Sequence, residues 1–312
     1  MQGFLAANEI VIDDSTFYYD DEEVQKYLSS GIWKTDLHYF SKIKINALAL
    51  MKMVTHAMKG GDLEIMGNLV GRIHHRTLIV MDCIPLPVVG TETRVSAGDD
   101  ALAYVTTYTE LKANSGNLFC QVGWYHSHPG YGPYLSGIDV GTQRGLQMQG
   151  PYVAVVIDPI RTATTGKIDI GAFRTYPEGQ APRQNQSKTT ADGVPEDKIL
   201  DFGKWHTEYY QLDIEYFVSS ADLPIVESLC SRLWINGLKK DEMNDNKKYF
   251  TEKLTDMTHK AKKIAAQLNT PSDQGGRTNK GQLTSFLKFS KDLSHNVHQE
   301  CAKVLSFNKL EY

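Results

Sequence analysis

The 312-residue sequence holds four cysteines, Cys83, Cys120, Cys230 and Cys301, and none of them forms a CxxC pair. That spacing offers no disulfide framework and fits a reduced, intracellular protein. Long hydrophobic runs are also missing. Ala47–Met51 and Val153–Ile157 are among the longest, far short of a membrane span. The opening MQGFLAANEIVIDD puts no basic region ahead of an apolar stretch, so no signal peptide is expected. Charge of one sign is not in excess: 33 Lys and Arg face 37 Asp and Glu, for a net charge of −4. That balance leaves no electrostatic footprint for nucleic acid. Several chemistries lack their marks as well. There is no HExxH, no HxE with PCxxC, no P-loop, no GxSxG elbow and no cysteine-protease signature. The expectation is a soluble protein of the cytoplasm and nucleus that binds neither membrane nor nucleic acid.

What is present describes a globular protein, with 41% hydrophobic and 22% charged residues. The length suits one larger domain and a second, smaller module. Residues 1–40, with the acidic, Tyr-rich DDSTFYYDDEE, read as an extended arm that needs another surface to be ordered. Ile43, Ala47, Leu50, Val54 and Ala57 recur every three or four residues and predict a helix over 43–58, ended by Gly60-Gly61. Residues 63–73 and 77–86 read as a hairpin, 99–113 as a helix, 119–126 as a strand and 138–148 as a helix. Strands are expected at 152–158, 167–174 and 209–218, with a Pro- and Gly-bearing linker near 177–195. Beyond it run two amphipathic stripes, Phe250 to Leu268 and Leu283 to Val304. Their apolar sides need cover, either from each other and the main domain or from partner helices.

The informative stretch is GWYHSHPGYGPYLSGID, residues 123–139. His126 and His128 stand two apart on a predicted strand, so both imidazoles leave the same face. Two imidazoles on one face suit Zn²⁺. Asp139 follows at the start of a predicted helix, where it can turn back toward the strand end. Three protein ligands leave a fourth position for water. His-Ser-His alone is common on surfaces without any metal; the pattern with Ser136 and Asp139 is much more specific.

This pattern resembles the JAMM motif of the JAMM/MPN+ metalloprotease family at every defining position. The family also carries an upstream glutamate followed by a hydrophobic residue and Met-Gly, and Glu64-Ile65-Met66-Gly67 matches. The resemblance implies an α/β fold, the MPN (JAB1/MPN/Mov34, cytidine-deaminase-like) domain: a mixed β-sheet flanked by helices, here with a C-terminal helical extension. It implies one Zn²⁺ per chain held by His126, His128 and Asp139, with Glu64 as general base and Ser136 as the hydroxyl that stabilises an oxyanion. The organisation expected is an arm over 1–40, the MPN+ domain over 41–180, a linker over 181–197 and a mainly helical assembly region over 198–312.

Further stretches, among them LPVVGTETRV (86–95), VAVVIDPIRT (153–162) and KILDFGKWHTEYYQLDIEYFVSS (198–220), are similar to the deneddylating branch of the family. That likeness implies a zinc isopeptidase working within the COP9 signalosome. It would pair with an inactive MPN subunit and remove the ubiquitin-like protein NEDD8 from neddylated cullin-RING ligases. The alternatives are a deubiquitinase of the proteasome-lid type and a non-catalytic MPN scaffold. Glu92 and Arg94 fall where the family's mobile insertion caps the metal, so both are candidates for autoinhibition; the other reading is a solvated loop. Pro133-Tyr134 departs from the family's usual Cys-Trp.

Overall fold

The structure is a computed structural model. It describes residues 2–34, 36, 38–87, 103–104, 106–107, 120–165, 167–177, 202, 205–236, 240–268 and six positions between 286 and 294. The expected helix at 99–113 and the stripe from Leu283 to Val304 lie largely outside the described residues.

Nine strands form one mixed sheet among the described residues. They are β1 (Val11–Ile12), β2 (Lys42–Asn46), β3 (Met66–His74), β4 (Thr77–Pro85), β5 (Cys120–Ser127), β6 (Val153–Asp158), β7 (Asp169–Thr175), β8 (Tyr209–Gln211) and β9 (Asp213–Val218). Their order is β1-β9-β2-β4-β3-β5-β6-β7-β8. Strands β3 and β4 make the expected antiparallel hairpin, turning at His75-Arg76, while β5 and β6 run parallel. Only Leu212 separates β8 from β9, yet β8 is one flank of the sheet and β9 sits near the other. The sheet is therefore curled until its flanks meet. The Leu212 N–H donates to the carbonyl of Ala172 in β7, and the Asp213 N–H to the carbonyl of Ser41 just before β2, at 2.9 and 3.0 Å.

Each face of the sheet carries its own core, because side chains alternate along a strand. Val153, Val155 and Ile157 of β6 face the larger core with Tyr125, Leu69 and the apolar side of α3 (Ala47–Gly60). Ala154 and Val156 face the other way, with Trp124, Leu135, Phe173 and Val140 of α4 (Gly137–Gln149). Leu50 of α3 is wholly buried, so Leu50→Ala is expected to cost about 2–5 kcal/mol.

Three expectations are corrected. Residues 42–46 are strand β2, not the first turn of a helix. Ile43 and Ile45 fit a helical spacing with Ala47, but both are buried in a strand with parallel neighbours on each side. The helix starts at Ala47, where the Asn46 side chain accepts from the Leu48 N–H as an N-cap. The acidic stretch does not stay extended: after a short helix α1 (Gln2–Ala7), Asp21–Ser30 is a helix, α2, capped by Asp20 and stopped by left-handed Gly31. Trp33, Tyr39 and Phe40 of the same segment enter the larger core. The third concerns the stripe on the helix Lys240–Leu268: Phe250 and Met257 pack with Tyr249 of the same helix and with Ile160 of the domain, whereas Leu254 of the predicted stripe is exposed. None of the described helices is long and apolar enough to cross a membrane.

Candidate metal centre

β5 delivers both histidines to one point. His126 lies in its last turn of pleat, and His128 follows after Ser127, its N–H still bonded to the Ile157 carbonyl. The two Nε2 atoms are 2.8 Å apart. Asp139 sits at the third position of α4. Its Oδ2 is 3.5 Å from the His126 Nε2 and 3.9 Å from the His128 Nε2. The histidines are 1% exposed and the Asp139 side chain 14%. Ligands about 2.0–2.1 Å from a tetrahedral Zn²⁺ stand roughly 3.3 Å from each other, close to this spacing. His128 Nδ1 is bonded to the Gly132 carbonyl at 3.1 Å, a partner that requires its proton on Nδ1 and puts the lone pair on Nε2, the atom that faces His126. The donor set fits a zinc ion.

The sequence explains why Asp139 points inward. Ser136 is the N-cap of α4 and forms a capping box with Asp139. The Ser136 N–H and hydroxyl donate to Asp139 Oδ2 at 2.8 and 2.7 Å, and the Asp139 N–H donates to Ser136 Oγ at 3.2 Å. Ser136 thus holds the carboxylate rather than standing free for an oxyanion. Burial pushes the Asp139 carboxyl up, but His126, His128 and the Ser136 hydroxyl outweigh it and hold it well below the usual carboxylate range. For His126 burial opposes charge, while Asp139 and Glu64 draw its value upward overall.

Glu64 precedes β3 by two residues instead of lying within a strand. It is buried, with Oε1 4.0 Å from His128 Nε2. This is too long for a direct bond and suited to a bridging solvent. Two features fix it there. Ser127, the middle residue of His-Ser-His, faces away from the site, accepts the Ile65 N–H on its hydroxyl at 3.0 Å and donates its own N–H to the Ile65 carbonyl. Tyr131 donates its hydroxyl to Glu64 Oε1. Gly67 permits the close pass that follows, since a Cβ there would lie 2.3 Å from the Tyr125 ring and 2.6 Å from the Ile84 carbonyl oxygen.

The loop between His128 and Tyr134 is organised by Asp158, at the end of β6. Its carboxylate accepts the N–H groups of Gly130, Gly132 and Arg161 at 3.0, 2.9 and 3.0 Å. Gly130 and Gly132 both have positive φ, +84° and +91°, which an L side chain would resist. Burial pushes the Asp158 carboxyl up to about 6 against the pull of Arg161. The histidine rings are walled by aromatics: Trp124 stacks on His126 at 4.8 Å, Tyr131 on His128 at 4.6 Å, and Phe202 meets His128 edge-on. Tyr134, at the departure from the family pattern, joins Tyr131 and Phe202 and is not a ligand. Glu92 and Arg94 lie outside the described residues.

The fold brings together Glu64, His126, His128, Ser136 and Asp139, the residues expected from the sequence. Ser127, Tyr131 and Asp158 were not among those expected. Asp158 alone had a local signal, an Asp before a Pro at a helix start, as the N-cap of Pro159–Thr165.

Comparison with known proteins shows the family. Residues 38–152 match the family model described as JAB1/Mov34/MPN/PAD-1 ubiquitin protease. COP9 signalosome complex subunit 5 of Dictyostelium discoideum is 43% identical over 295 residues, covering 94% of this chain and 88% of that protein. The Drosophila melanogaster subunit 5 is 41% identical over 302 residues, covering 95% and 92%. Subunit 5b of Arabidopsis thaliana is 41% identical over 311 residues, covering 95% and 86%. With likeness of this extent running through the metal centre and beyond it, the chain belongs to the JAB1/Mov34/MPN/PAD-1 family, among the relatives of COP9 signalosome subunit 5.

Proposed function

We propose that the protein is a zinc-dependent isopeptidase, the catalytic subunit of a COP9 signalosome in the cytoplasm and nucleus, cleaving the bond between the C-terminal glycine of NEDD8 and a cullin lysine. The observation that carries this reading is one convergence. Three candidate ligand side chains meet at one point, and a fourth group, Glu64, stands 4.0 Å from His128 Nε2, held by Tyr131.

When bound, the ion supplies Lewis acidity, which acidifies water and polarises a carbonyl. His126, His128 and Asp139 hold it, with Asp139 aimed by the Ser136 cap. Glu64 takes a proton from the attacking water and returns it to the leaving lysine amine, a role worth about 10²–10⁴-fold. Its carboxylate is aligned by the Tyr131 hydroxyl, and Ser127 locks the backbone beside it. The Ser136 hydroxyl reaches a developing oxyanion only by leaving Asp139 Oδ2, so its two tasks alternate. The aromatic walls of Trp124, Tyr131 and Phe202 keep bulk water off the histidines.

The test is cleavage by the complex reconstituted around this chain, run in parallel on NEDD8-conjugated and ubiquitin-conjugated cullin, with Glu64→Gln as the blank. Faster release of NEDD8 by the wild type alone is expected. Preference for ubiquitin would assign the deubiquitinase reading, and equal rates for wild type and blank would leave a scaffold.

A further inference from the structure

A second trio of two imidazoles and a carboxylate lies away from the catalytic centre. His74 ends β3, His75 opens the hairpin turn, and Glu23 projects from α2. One potential ligand atom from each lies within 4.8 Å of the other two. Adjacent residues of a strand ordinarily point to opposite faces. Here His75 takes a left-handed backbone, φ +49°, one of two non-glycine residues with positive φ among the described residues. That turn brings its ring beside that of His74, with centroids 4.4 Å apart. A two-residue hairpin turn calls for positive φ at its first position, and histidine is one of the non-glycine residues that accept it.

The surroundings prepare the His75 ring as a ligand. The Tyr27 hydroxyl is 2.5 Å from His75 Nδ1 and 3.2 Å from Glu23 Oε1. One proton arrangement satisfies both contacts: His75 Nδ1–H donates to the Tyr27 oxygen, and the Tyr27 O–H donates to Glu23. It leaves His75 Nε2 with its lone pair, the kind of outer partner that metal-binding imidazoles use. Arg72, two residues before His74 on β3, donates to the Thr16 carbonyl and lies over the Tyr19 ring at 4.5 Å, and its charge is felt at both Glu23 and His74.

We propose that Glu23, His74 and His75 form a second site, for a borderline divalent cation of the zinc class, that clasps α2 to the β3–β4 hairpin. Two imidazoles and one carboxylate select such an ion over Mg²⁺ or Ca²⁺. The clasp is structural: it ties the amino-terminal segment to the sheet and leaves the remaining coordination positions to water.

The test uses the untagged full chain, stripped with chelator and titrated with Zn²⁺ alone by calorimetry, with melting followed in parallel. His128→Ala removes the catalytic centre, so zinc bound by that chain reports the second site. The His128→Ala chain is expected to take up about one ion and to melt a few degrees higher with zinc. Adding His75→Gly, which preserves the left-handed turn, abolishes both effects, and adding Tyr27→Phe weakens them. If the His128→Ala chain binds no zinc, or binds it equally well with His75→Gly, the clasp is overturned, and neither result touches the catalytic reading. If instead wild type and His128→Ala bind the same single ion, lost on His75→Gly, the clasp stands and the catalytic reading falls.

Discussion

The two trios hold the same kinds of ligand in opposite settings. His126, His128 and Asp139 are buried, and each is fixed from behind: His128 by the Gly132 carbonyl, Asp139 by the Ser136 cap, and His126 by the stacked Trp124 ring. His74 and His75 are exposed, held chiefly by a turn and by Tyr27. Burial removes competing water and makes each electrostatic contact count for more, while exposure leaves an ion able to join two elements but not to drive chemistry. Ligand identity therefore does not separate a reactive centre from a clasp. The separating features are the enclosing wall and a fourth group, Glu64, which under the proposed function moves a proton.

The largest expected effect breaks the buried trio. His126→Ala or His128→Ala should abolish both zinc binding at that centre and cleavage. Glu64→Gln should keep the zinc and lower cleavage by about 10³-fold or more. Metal content by mass spectrometry beside single-turnover rates separates the two classes. Next comes Tyr131→Phe, which frees Glu64 without touching a ligand. A loss of about 10–100-fold in kcat is expected, with unchanged zinc and a shifted acidic limb of the pH profile. An unchanged profile would remove Tyr131 from the alignment of the base.

Asp158→Asn acts one layer further out. Its amide nitrogen must face at least one of the three N–H groups that the carboxylate accepts, so a loss of about 1–3 kcal/mol at pH 7 is expected by denaturant melts. The pH dependence carries a sign. Asp158 binds its proton more tightly in the folded chain, at about 6, than in the unfolded chain, near 3.8. Its contribution to stability is thus full below about pH 4 and disappears as the pH rises through about 6, a swing on the order of 3 kcal/mol. The Asn variant should lack that swing. The smallest effect belongs to the exposed trio, where His75→Gly should leave cleavage within about twofold of wild type.

How far these regions could be read from sequence follows from the distance between contacting residues. The ligands and the Ser136 cap lie within fourteen residues, and strand alternation plus helix capping place them. Tyr131 meets Glu64 across 67 positions, Ser127 meets Ile65 across 62, and Asp158 meets Gly130 across 28. No local periodicity encodes such pairs. Strand β2 escaped for a different reason. Its apolar residues satisfy both periods, and only the parallel partners β4 and β9 decide between them. The hairpin and α4 were plain because turn and cap chemistry mark their ends. The acidic arm misled because α2 is charged on its outer side and is ordered partly by packing against β3.

The seam at Leu212 bears on how the protein is made. The chain must be synthesised through Val218 before the two flanks of the sheet can be stitched, so a nascent polypeptide stopped near residue 180 would carry β2 and β7 with bare edges. Exposed backbone of that kind invites pairing with a neighbour. A recombinant fragment cut at the apparent end of the motif-bearing region should therefore precipitate, whereas one extended past residue 218 should remain in solution.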